Sequence, residues 1–316
     1  MENHIFLDEN CKKYKGNIHT HSTRSDGVYS PEELVKAYRE RGYDFLCLSD
    51  HEIYYKSSQF DTDDFIVLDG YEMACDTDGS SRDASFHIHG LLDTSLHTSN
   101  PFAHDEKHPK PYYHSLDTVQ DLMDEMIERG NWIVWNHPNW SKNTYEEILQ
   151  LKGYGAVEIY NHQSQIEEAC GYSISYWDYL LQHGKKVWGI AADDAHSGDY
   201  RDVCSEFFGG FIVVQAEKLQ QQSMIEAIKN GKFYSSSGPQ IHDIRVENGI
   251  VKVKCSEVKS IQFVTFPHSG KTVYSRDGSL IQEGNYQIKG TEKYIRIECV
   301  DPCGNIAWSN PIWFNE

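Results

Sequence analysis

Short apolar segments alternate with segments of helical periodicity between about residues 16 and 235. The apolar segments have the length of strands and lie at residues 16–18, 45–48, 65–68, 86–92, 132–135, 156–160, 187–192 and 210–214. Strands that alternate with helices in this way are typical of βα units. The pattern therefore predicts an α/β fold with a parallel sheet or barrel.

The predicted helices carry recognisable start and stop residues. Ser30 is placed as an N-cap, with Pro31 at the first helical position and Glu33 in a capping box, and this helix ends at Gly42. Apolar residues spaced by three and four between 119 and 127 predict a second, amphipathic helix that Gly130 closes. A last helix is predicted at about 219–230.

The pattern changes near residue 238. Residues 239–316 show short alternating stretches separated by turn signals such as Asn248-Gly249 and Asp277-Gly278. This is typical of a small all-β, sandwich-like domain, and it holds no cluster of titratable residues. We therefore predict two domains, an α/β domain at 1–238 that carries the candidate site and an all-β domain at 239–316.

Residues 93–115 interrupt the βα rhythm. The segment is polar, holds three prolines and carries His97, His104, His108 and His114. Long irregular insertions in compact enzymes are often lids or substrate loops. We expect an insertion of that kind here, with histidines that are not metal ligands because their spacing is irregular.

Composition excludes several classes of protein. Hydrophobic residues make up 39% and aromatics 13%, as in globular chains, and no apolar run reaches the roughly 18 residues that a membrane span needs. The net charge of −19 argues against a long nucleic acid as partner, although a small phosphate ester remains compatible. The start of the chain lacks a signal-peptide pattern and the eight cysteines are expected to be reduced, which favours the cytoplasm. The oligomeric state is not readable.

Titratable side chains stand on or directly after most of the predicted strands. They are His19, His21, Asp50, His51, Glu72, His87, His89, His137, Asp194 and His196. In a barrel of βα units the carboxyl ends of the strands form one mouth, where sites are built. A single such histidine is usually an ordinary hydrogen-bonded residue, but so many groups at one mouth need compensating cations. Mixed imidazole and carboxylate ligands suit two or three Zn, Mn or Fe ions.

The order of these motifs resembles a known family. His19-Thr-His21, Ser25-Asp26-Gly27, Ser49-Asp50-His51, Gly70-Tyr-Glu72, His137-Pro138 and Asp194-Ala-His196 are similar to the motifs of the polymerase and histidinol phosphatase (PHP) family, over about residues 15–237. The resemblance implies a distorted (β/α)7, TIM-like barrel with a polynuclear metal site. More loosely, residues 234–239 and 307–311 resemble the immunoglobulin-like appendage of some PHP hydrolases.

The resemblance also implies a ligand set. His19, His21, Glu72 and Asp194 would hold a first metal, and Glu72 would bridge to a second held by His87 and His137. Asp26, His51 and His196 would hold a third, although the family often has His in place of Asp26. His87 aligns best with the fifth motif, but His89 shares its face of the strand.

The expected reaction is hydrolysis of a small phosphorylated metabolite or nucleotide by a hydroxide that bridges two metals. Arg24 is either a phosphate ligand or a solvated loop arginine, and His51 or His196 could protonate the leaving oxygen if the third metal is absent. Asp193 is expected to support a neighbouring ligand. Two alternatives stay open: hydrolysis of an ester, carbamate or amide at the same site, and a non-catalytic metal-binding module that recruits a partner through the β domain.

Overall fold

The computed structural model describes residues 3–54, 57–77, 85–96 and 98–314. The chain is a mixed α/β protein with a sheet-rich C-terminal segment. The α-helices are α1 (Pro31–Glu40), α2 (Leu116–Glu128), α3 (Tyr145–Gln150), α4 (His162–Glu168), α5 (Ile174–Gln182) and α6 (Gln221–Lys229).

Strands alternate with these helices in the first three quarters of the chain and follow one another in the rest. The first set is β1 (His4–Leu7), β2 (Lys13–Asn17), β3 (Phe45–Cys47), β4 (Ile66–Leu68), β5 (Gly70–Asp76), β6 (Ser85–Leu92), β7 (Asn131–Trp135), β8 (Tyr154–Asn161), β9 (Trp188–Ala192), β10 (Phe211–Gln215) and β11 (Phe233–Ser236). The second set is β12 (Ile241–Glu247), β13 (Ile250–Val258), β14 (Ser260–Phe266), β15 (Lys271–Val273), β16 (Ile281–Gln287), β17 (Tyr294–Val300), β18 (Ile306–Ser309) and β19 (Ile312–Trp313).

The helix signals in the sequence match the structure closely. Ser30 caps α1, and both hydrogen bonds of the capping box with Glu33 are present. The predicted second and last helices appear as α2 and α6, whereas α3, α4 and α5 were not predicted. In the described parts of the chain, no helix is long and apolar enough to cross a membrane.

A five-stranded sheet runs in the order β5-β6-β7-β8-β9. Only its β7-β8-β9 portion is parallel, because β6 pairs antiparallel with both β5 and β7. The connection between β5 and β6, residues 77–84, is shorter than the dozen or so residues that a parallel crossover needs. The expectation of an all-parallel sheet is therefore wrong at this edge.

A ten-stranded sheet crosses the predicted domain boundary. The parallel strands β2, β3 and β4 continue through β10 and β11 to β18, β17, β14 and β15, with β19 beside β17. The N-terminal strand β1 lies in a four-stranded sheet with β12, β13 and β16. One core cluster correspondingly joins Leu34 and Leu46 to Ile244 and Ile297. The division at 238 stays a prediction, and the sheets show how closely the two segments are joined.

Two single bridges link the ends of these sheets near the predicted mouth. Thr20 pairs with Ala195, and His51 pairs with Glu72. Among the described residues, the ladders do not close into one continuous barrel. The bridges nevertheless bring the ends of β2 and β3 beside β9 and β5, and this places the site residues next to one another.

Candidate metal centre

The His19-Thr-His21 segment follows β2 and is held between two strand ends. The Asp194 N–H donates to the His19 carbonyl over 2.9 Å, and the His21 N–H donates to the Ala195 carbonyl over 2.9 Å. Both imidazoles are buried, and their Nε2 atoms lie 3.1 Å apart. Asp194 Oδ1 lies 2.9 Å from His19 Nε2 and 3.2 Å from His21 Nε2. Three potential ligand atoms therefore surround one point.

Glu72 is the centre of the cluster. It lies on β5 rather than after β4, and it is buried. Its Oε1 atom is 3.3 Å from His19 Nε2, His87 Nδ1 and His137 Nε2. Its Oε2 atom is 3.4 Å from His21 Nε2 and 3.2 Å from His51 Nδ1.

The ligand atoms fall into overlapping groups whose members lie within 4.8 Å of one another. The groups are His19, His21, Glu72 and Asp194; His51, Glu72 and His87; His21, Asp26, His51 and His196; and His19, His137 and Glu158. The first contains the same four residues as the expected first metal position, and the third contains all three residues of the expected third position. The structure thus brings together every residue expected to be a ligand.

The two histidines of β6 can be told apart by their neighbours. His87 Nδ1 faces Glu72, whereas His89 Nε2 faces the buried Cys47 sulfur at 3.7 Å. Burial and the nearby His19 lower the pKa of His89 to about 3. In the β5-β6 register His89 lies opposite Glu72 and His87 lies opposite Ala74, yet it is the His87 imidazole that reaches the Glu72 carboxylate, at 3.3 Å. The geometry favours His87 over His89.

Buried polar atoms in the cluster indicate that cations fit it. Among the described residues, Glu72 Oε2, Asp194 Oδ1, His51 Nδ1 and His87 Nδ1 are buried without a hydrogen bond. Unpaired buried polar atoms are costly, and they are often explained by an ion. Metal–ligand bonds of about 2.1 Å place neighbouring ligand atoms roughly 3 Å apart. The separations of 2.9–3.4 Å around His19 and His21 agree with that spacing.

The charges in the cluster are strongly interdependent. Burial alone would lower the pKa of His21, but the close Asp194 and Glu72 carboxylates raise it to about 9. At His87, burial again favours a lower pKa, but the Glu72 and Asp76 carboxylates raise the pKa to about 10. Burial and the neighbouring His21 lower the pKa of His51 to about 3. The carboxylates thus favour positive charge here, since the pKa values of His19, His21 and His87 are all raised.

Backbone strain is concentrated around the cluster. Glu52, His137 and Asp194 have φ angles of 56°, 21° and 57°. Such left-handed conformations are unfavourable for residues with a side chain, and they occur disproportionately at functional sites. Gly27 allows close packing at the same place, since a Cβ at this position would lie 2.2 Å from the His21 carbonyl oxygen. The Ser25-Asp26-Gly27 motif can therefore fold tightly against His21.

A pocket of about 310 Å³ opens beside the cluster. Asp26, His51 and His87 line one side, and Arg24 lies on its wall. Arg24 Nη1 contacts Asp105 Oδ1 of the insertion at 2.6 Å. Arg24 is thus neither a metal neighbour nor an unpaired loop residue: it joins the pocket to the insertion.

Comparisons with known proteins give local and distant similarities. No family model matches the chain. A 42-residue segment is 43% identical to the DNA polymerase/3'-5' exonuclease PolX of Bacillus subtilis, but it covers 13% of this chain and 7% of that protein. A solved two-domain protein from Bacteroides vulgatus, described as containing a predicted PHP-like metal-dependent phosphoesterase, is 16% identical. The match covers 97% of this chain and 96% of that one, with a TM-score of 0.48.

The chain is similar to PHP-like metal-dependent phosphoesterases. A protein from Bifidobacterium adolescentis, also assigned as a metal-dependent phosphoesterase by prediction, is 13% identical over 60% of this chain and 92% of its own, with a TM-score of 0.40. An amidohydrolase from Chromobacterium violaceum, solved with sulfate and no metal, is 13% identical over 60% and 93%, with a TM-score of 0.38.

Several residues around the cluster were missed in the sequence. Glu158 Oε1 lies 2.6 Å from His19 Nδ1, and its Oε2 atom accepts from the His137 N–H at 3.0 Å. The Asn136 and Asn161 side chains donate to Glu72 and Asp194. A lone carboxylate inside the buried strand β8 was the available signal for Glu158. Glu158 orients His19, and the asparagines orient the two carboxylates.

Asp193 does not support a ligand as expected. Its carboxylate accepts from the Tyr38 hydroxyl at 2.6 Å and from the backbone N–H groups of Phe208, Gly209 and Gly210 at 2.7–2.8 Å. It therefore fastens α1 to the loop before β10. Its side chain lies on the opposite side of the strand end from the cluster ligands, because successive residues alternate in direction.

The insertion histidines lie apart from the candidate ligands. His108 Nε2 contacts the Ala103 carbonyl at 3.1 Å, and the His104 ring stacks on Tyr54 at 5.1 Å. Neither these residues nor His114 belongs to a ligand group in the described part of the chain. His97 lies outside the described residues.

Proposed function

We propose that this chain is a metal-dependent phosphoesterase of the PHP type that hydrolyses a small phosphorylated metabolite or nucleotide. The observation that carries the proposal is the convergence on Glu72 of five imidazoles, each with a nitrogen within 3.4 Å of its carboxylate. Structural ion pairs do not require so many buried ligand groups, whereas a polynuclear metal site does. The similarity to metal-dependent hydrolases supports the same reaction class.

In this proposal, two or three divalent ions of Zn, Mn or Fe occupy the cluster. His19, His21, Glu72 and Asp194 hold the first, and Glu72 with His87 and His137 holds the second. The third position uses Asp26, His51 and His196, since both His51 Nε2 and His196 Nε2 lie 3.6 Å from Asp26. The strands around the site correspond to the distorted (β/α)7 barrel of the family, with ladders that stay open among the described residues, and residues 239–316 are an all-β appendage.

Divalent ions in these positions would supply Lewis acidity and a nucleophile at neutral pH. The protein's own side chains position the substrate and handle protons. Arg24 on the pocket wall binds phosphate oxygens, because its guanidinium can donate in parallel to an oxyanion. His196 donates its Nδ1 proton to the Asp194 carbonyl at 2.8 Å, so its Nε2 atom faces Asp26. Burial lowers the pKa of both His51 and His196, so when the third position is empty either imidazole would first take up a proton, favoured by the negative charge of a bound phosphate, and then pass it to the leaving oxygen.

The test compares a phosphomonoester with a neutral ester on the metal-loaded protein. We expect hydrolysis of p-nitrophenyl phosphate to depend on added Mn or Zn and to exceed hydrolysis of p-nitrophenyl acetate. A preference of about tenfold for the acetate would replace the phosphoesterase proposal with an ester hydrolase. Retention of less than about one metal ion per chain after loading would instead favour a non-catalytic module.

A further inference from the structure

The insertion docks on the mouth through ion pairs that flank the candidate metal centre. Each pair joins one insertion residue to one residue of the pocket wall. The pairs are Asp105–Arg24 at 2.6 Å, Lys107–Glu52 at 3.7 Å and Lys110–Asp76 at 2.6 Å. The insertion thus contributes two cations, Lys107 and Lys110, to the pocket beside the cluster.

Backbone contacts hold this part of the insertion in place. The His108 N–H donates to the Glu52 carbonyl at 2.7 Å, and the Tyr113 N–H donates to the Asp76 carbonyl at 2.9 Å. Phe102 is 5% exposed and packs on Tyr54 and Tyr71 in the core. The insertion therefore forms a fixed wall of the pocket, and the backbone positions of Lys107 and Lys110 are defined.

Each lysine pairs with a carboxylate that is itself next to a candidate ligand, either in space or in the chain. Asp76 contacts Lys110 on one side and lies 3.6 Å from His87 Nε2 on the other. Glu52, the partner of Lys107, directly follows His51 in the chain. An anion that bound the metal cluster from the pocket would therefore meet these two ammonium groups next.

Lys107 and Lys110 can leave their carboxylate partners for another anion. The side chain of Lys107 is 71% exposed and that of Lys110 is 38% exposed. Water reaches the ammonium group of each pair and screens it there, so both lysines can turn from their carboxylates without being desolvated, even though the Glu52 side chain is 4% exposed. A phosphate dianion offers more charge and more acceptor oxygens than one carboxylate. The pocket lining holds three cations beside the carboxylates Asp26, Glu52 and Asp76, so an anion is favoured there when metal ions neutralise the cluster and the lysines turn from their carboxylate partners.

We propose that Lys107 and Lys110, together with Arg24, form the subsite that binds the phosphoryl oxygens of the substrate, and that they exchange Glu52 and Asp76 for the phosphate. This inference rests on the proposed function and makes it more specific. It assigns the insertion a role in substrate affinity. It also explains why a pocket that opens on buried carboxylates is lined by cations supplied from a separate segment.

The experiment measures inorganic phosphate binding to the metal-loaded 316-residue chain by calorimetry. Lys107→Ala and Lys110→Ala are made singly and together, with Lys36→Ala as control because Lys36 is exposed on α1 and pairs with the exposed Glu40. We expect the double variant to bind phosphate about tenfold or more weakly, with unchanged metal content. KM for p-nitrophenyl phosphate should rise by a similar factor while kcat changes less, and Lys110→Arg should recover most of the loss.

Two results separate this inference from the proposed function. Unchanged phosphate affinity and KM in the folded, metal-loaded double variant would overturn the subsite while leaving the phosphoesterase intact. A wild-type protein that binds metals but neither binds phosphate nor hydrolyses phosphoesters would overturn both. If the double variant does not fold, acetylation of the wild type decides: phosphate should protect Lys107 and Lys110 but not Lys36, and equal labelling with and without phosphate would contradict the subsite.

Discussion

At the scale of single residues, the cluster depends on Glu72, whose two oxygens face imidazoles on both sides. Glu72→Gln keeps the shape but removes the negative charge and one acceptor. We expect loss of at least one bound metal ion and a fall in kcat/KM on the order of 10³-fold, because metal catalysis contributes several kcal/mol. Elemental analysis and phosphatase kinetics check this, with the exposed Glu40→Gln as control. Full metal content in Glu72→Gln would argue against the bridging role.

Glu158 provides a graded comparison with Glu72. It touches His19 and the His137 backbone but belongs to the outer layer of the expected site. Partners of metal-binding histidines typically change affinity or activity by about 10–100-fold when they are removed. Glu158→Gln should therefore retain metal in excess Mn but require more of it, which a metal titration of activity measures. A loss as complete as that of Glu72→Gln would make Glu158 a ligand.

The residue types at the site were predictable from the sequence, whereas their partners were not. His19, His21 and Asp194 follow strands in a recognisable order, so their convergence follows from a βα pattern, whereas Glu72 lies inside β5, which the pattern did not predict. Glu158 pairs with a residue 139 positions away, and no local pattern encodes that contact. Asp193 and Asp194 are neighbours in sequence, yet one fastens a loop and the other faces the cluster. Only the strand's alternation and its packing separate the two.

At the scale of elements, the insertion is anchored by Phe102, which packs on Tyr54 and Tyr71. Phe102→Ala removes a buried ring, a change that typically costs about 3–5 kcal/mol. Since the ring fastens one segment, we expect the insertion to detach before the rest of the chain unfolds. Limited proteolysis should then cut within 93–115, and KM for the phosphoester should rise.

A matched variant on the same insertion tests whether that effect is due to anchoring. Tyr112 is 57% exposed, so Tyr112→Ala removes an aromatic ring without opening the core. Its proteolysis pattern and KM should stay close to those of the wild type. Equal susceptibility of Phe102→Ala and Tyr112→Ala to protease would show that the insertion is not held by Phe102.

The elements themselves were predicted unevenly. Strands with continuous apolar runs, such as β7 and β9, appear within a few residues of their predicted bounds. β5 was missed because Glu72 and neighbouring polar residues interrupt its apolar pattern, although the strand is buried. The direction of β6 was also wrong, since apolar periodicity is the same in parallel and antiparallel strands. Helices α3 and α4 are too short to show a clear period.

At the scale of the whole molecule, the buried charge couples metal binding to folding. Without ions, the unpaired oxygens of Glu72 and Asp194 remain buried. Ligands that bind only the folded state stabilise it by about 2.7 kcal/mol at one hundred times Kd. Chelation should therefore lower Tm by roughly 5 °C, and Mn or Zn should restore it in calorimetry. An unchanged Tm would mean that the cluster does not hold ions in the folded protein.

The ten-stranded sheet makes the two predicted domains dependent on each other. β11 pairs with β18, and β1 pairs with β12, so strands from each side of residue 238 complete the other side's sheets. Arg296 on β17 adds a buried link, because its guanidinium makes bonds of 2.9 and 2.8 Å to Asp178 on α5. A boundary crossed by a sheet, a shared core and a buried ion pair is expected to unfold as one unit.

Asp178→Ala tests this coupling. The substitution leaves the Arg296 guanidinium, whose side chain is 3% exposed, with Glu298 as its remaining carboxylate partner, and we expect a cost of about 2–3 kcal/mol, below that of a fully uncompensated buried charge. If the chain unfolds as one unit, a single transition should shift as a whole, with far-UV circular dichroism and tryptophan fluorescence giving the same midpoint. The exposed pair of Asp64 with Arg39 is the control, and Asp64→Ala should change the midpoint little. Two separate transitions, of which only one moves, would show that residues 239–316 unfold independently despite the shared sheet.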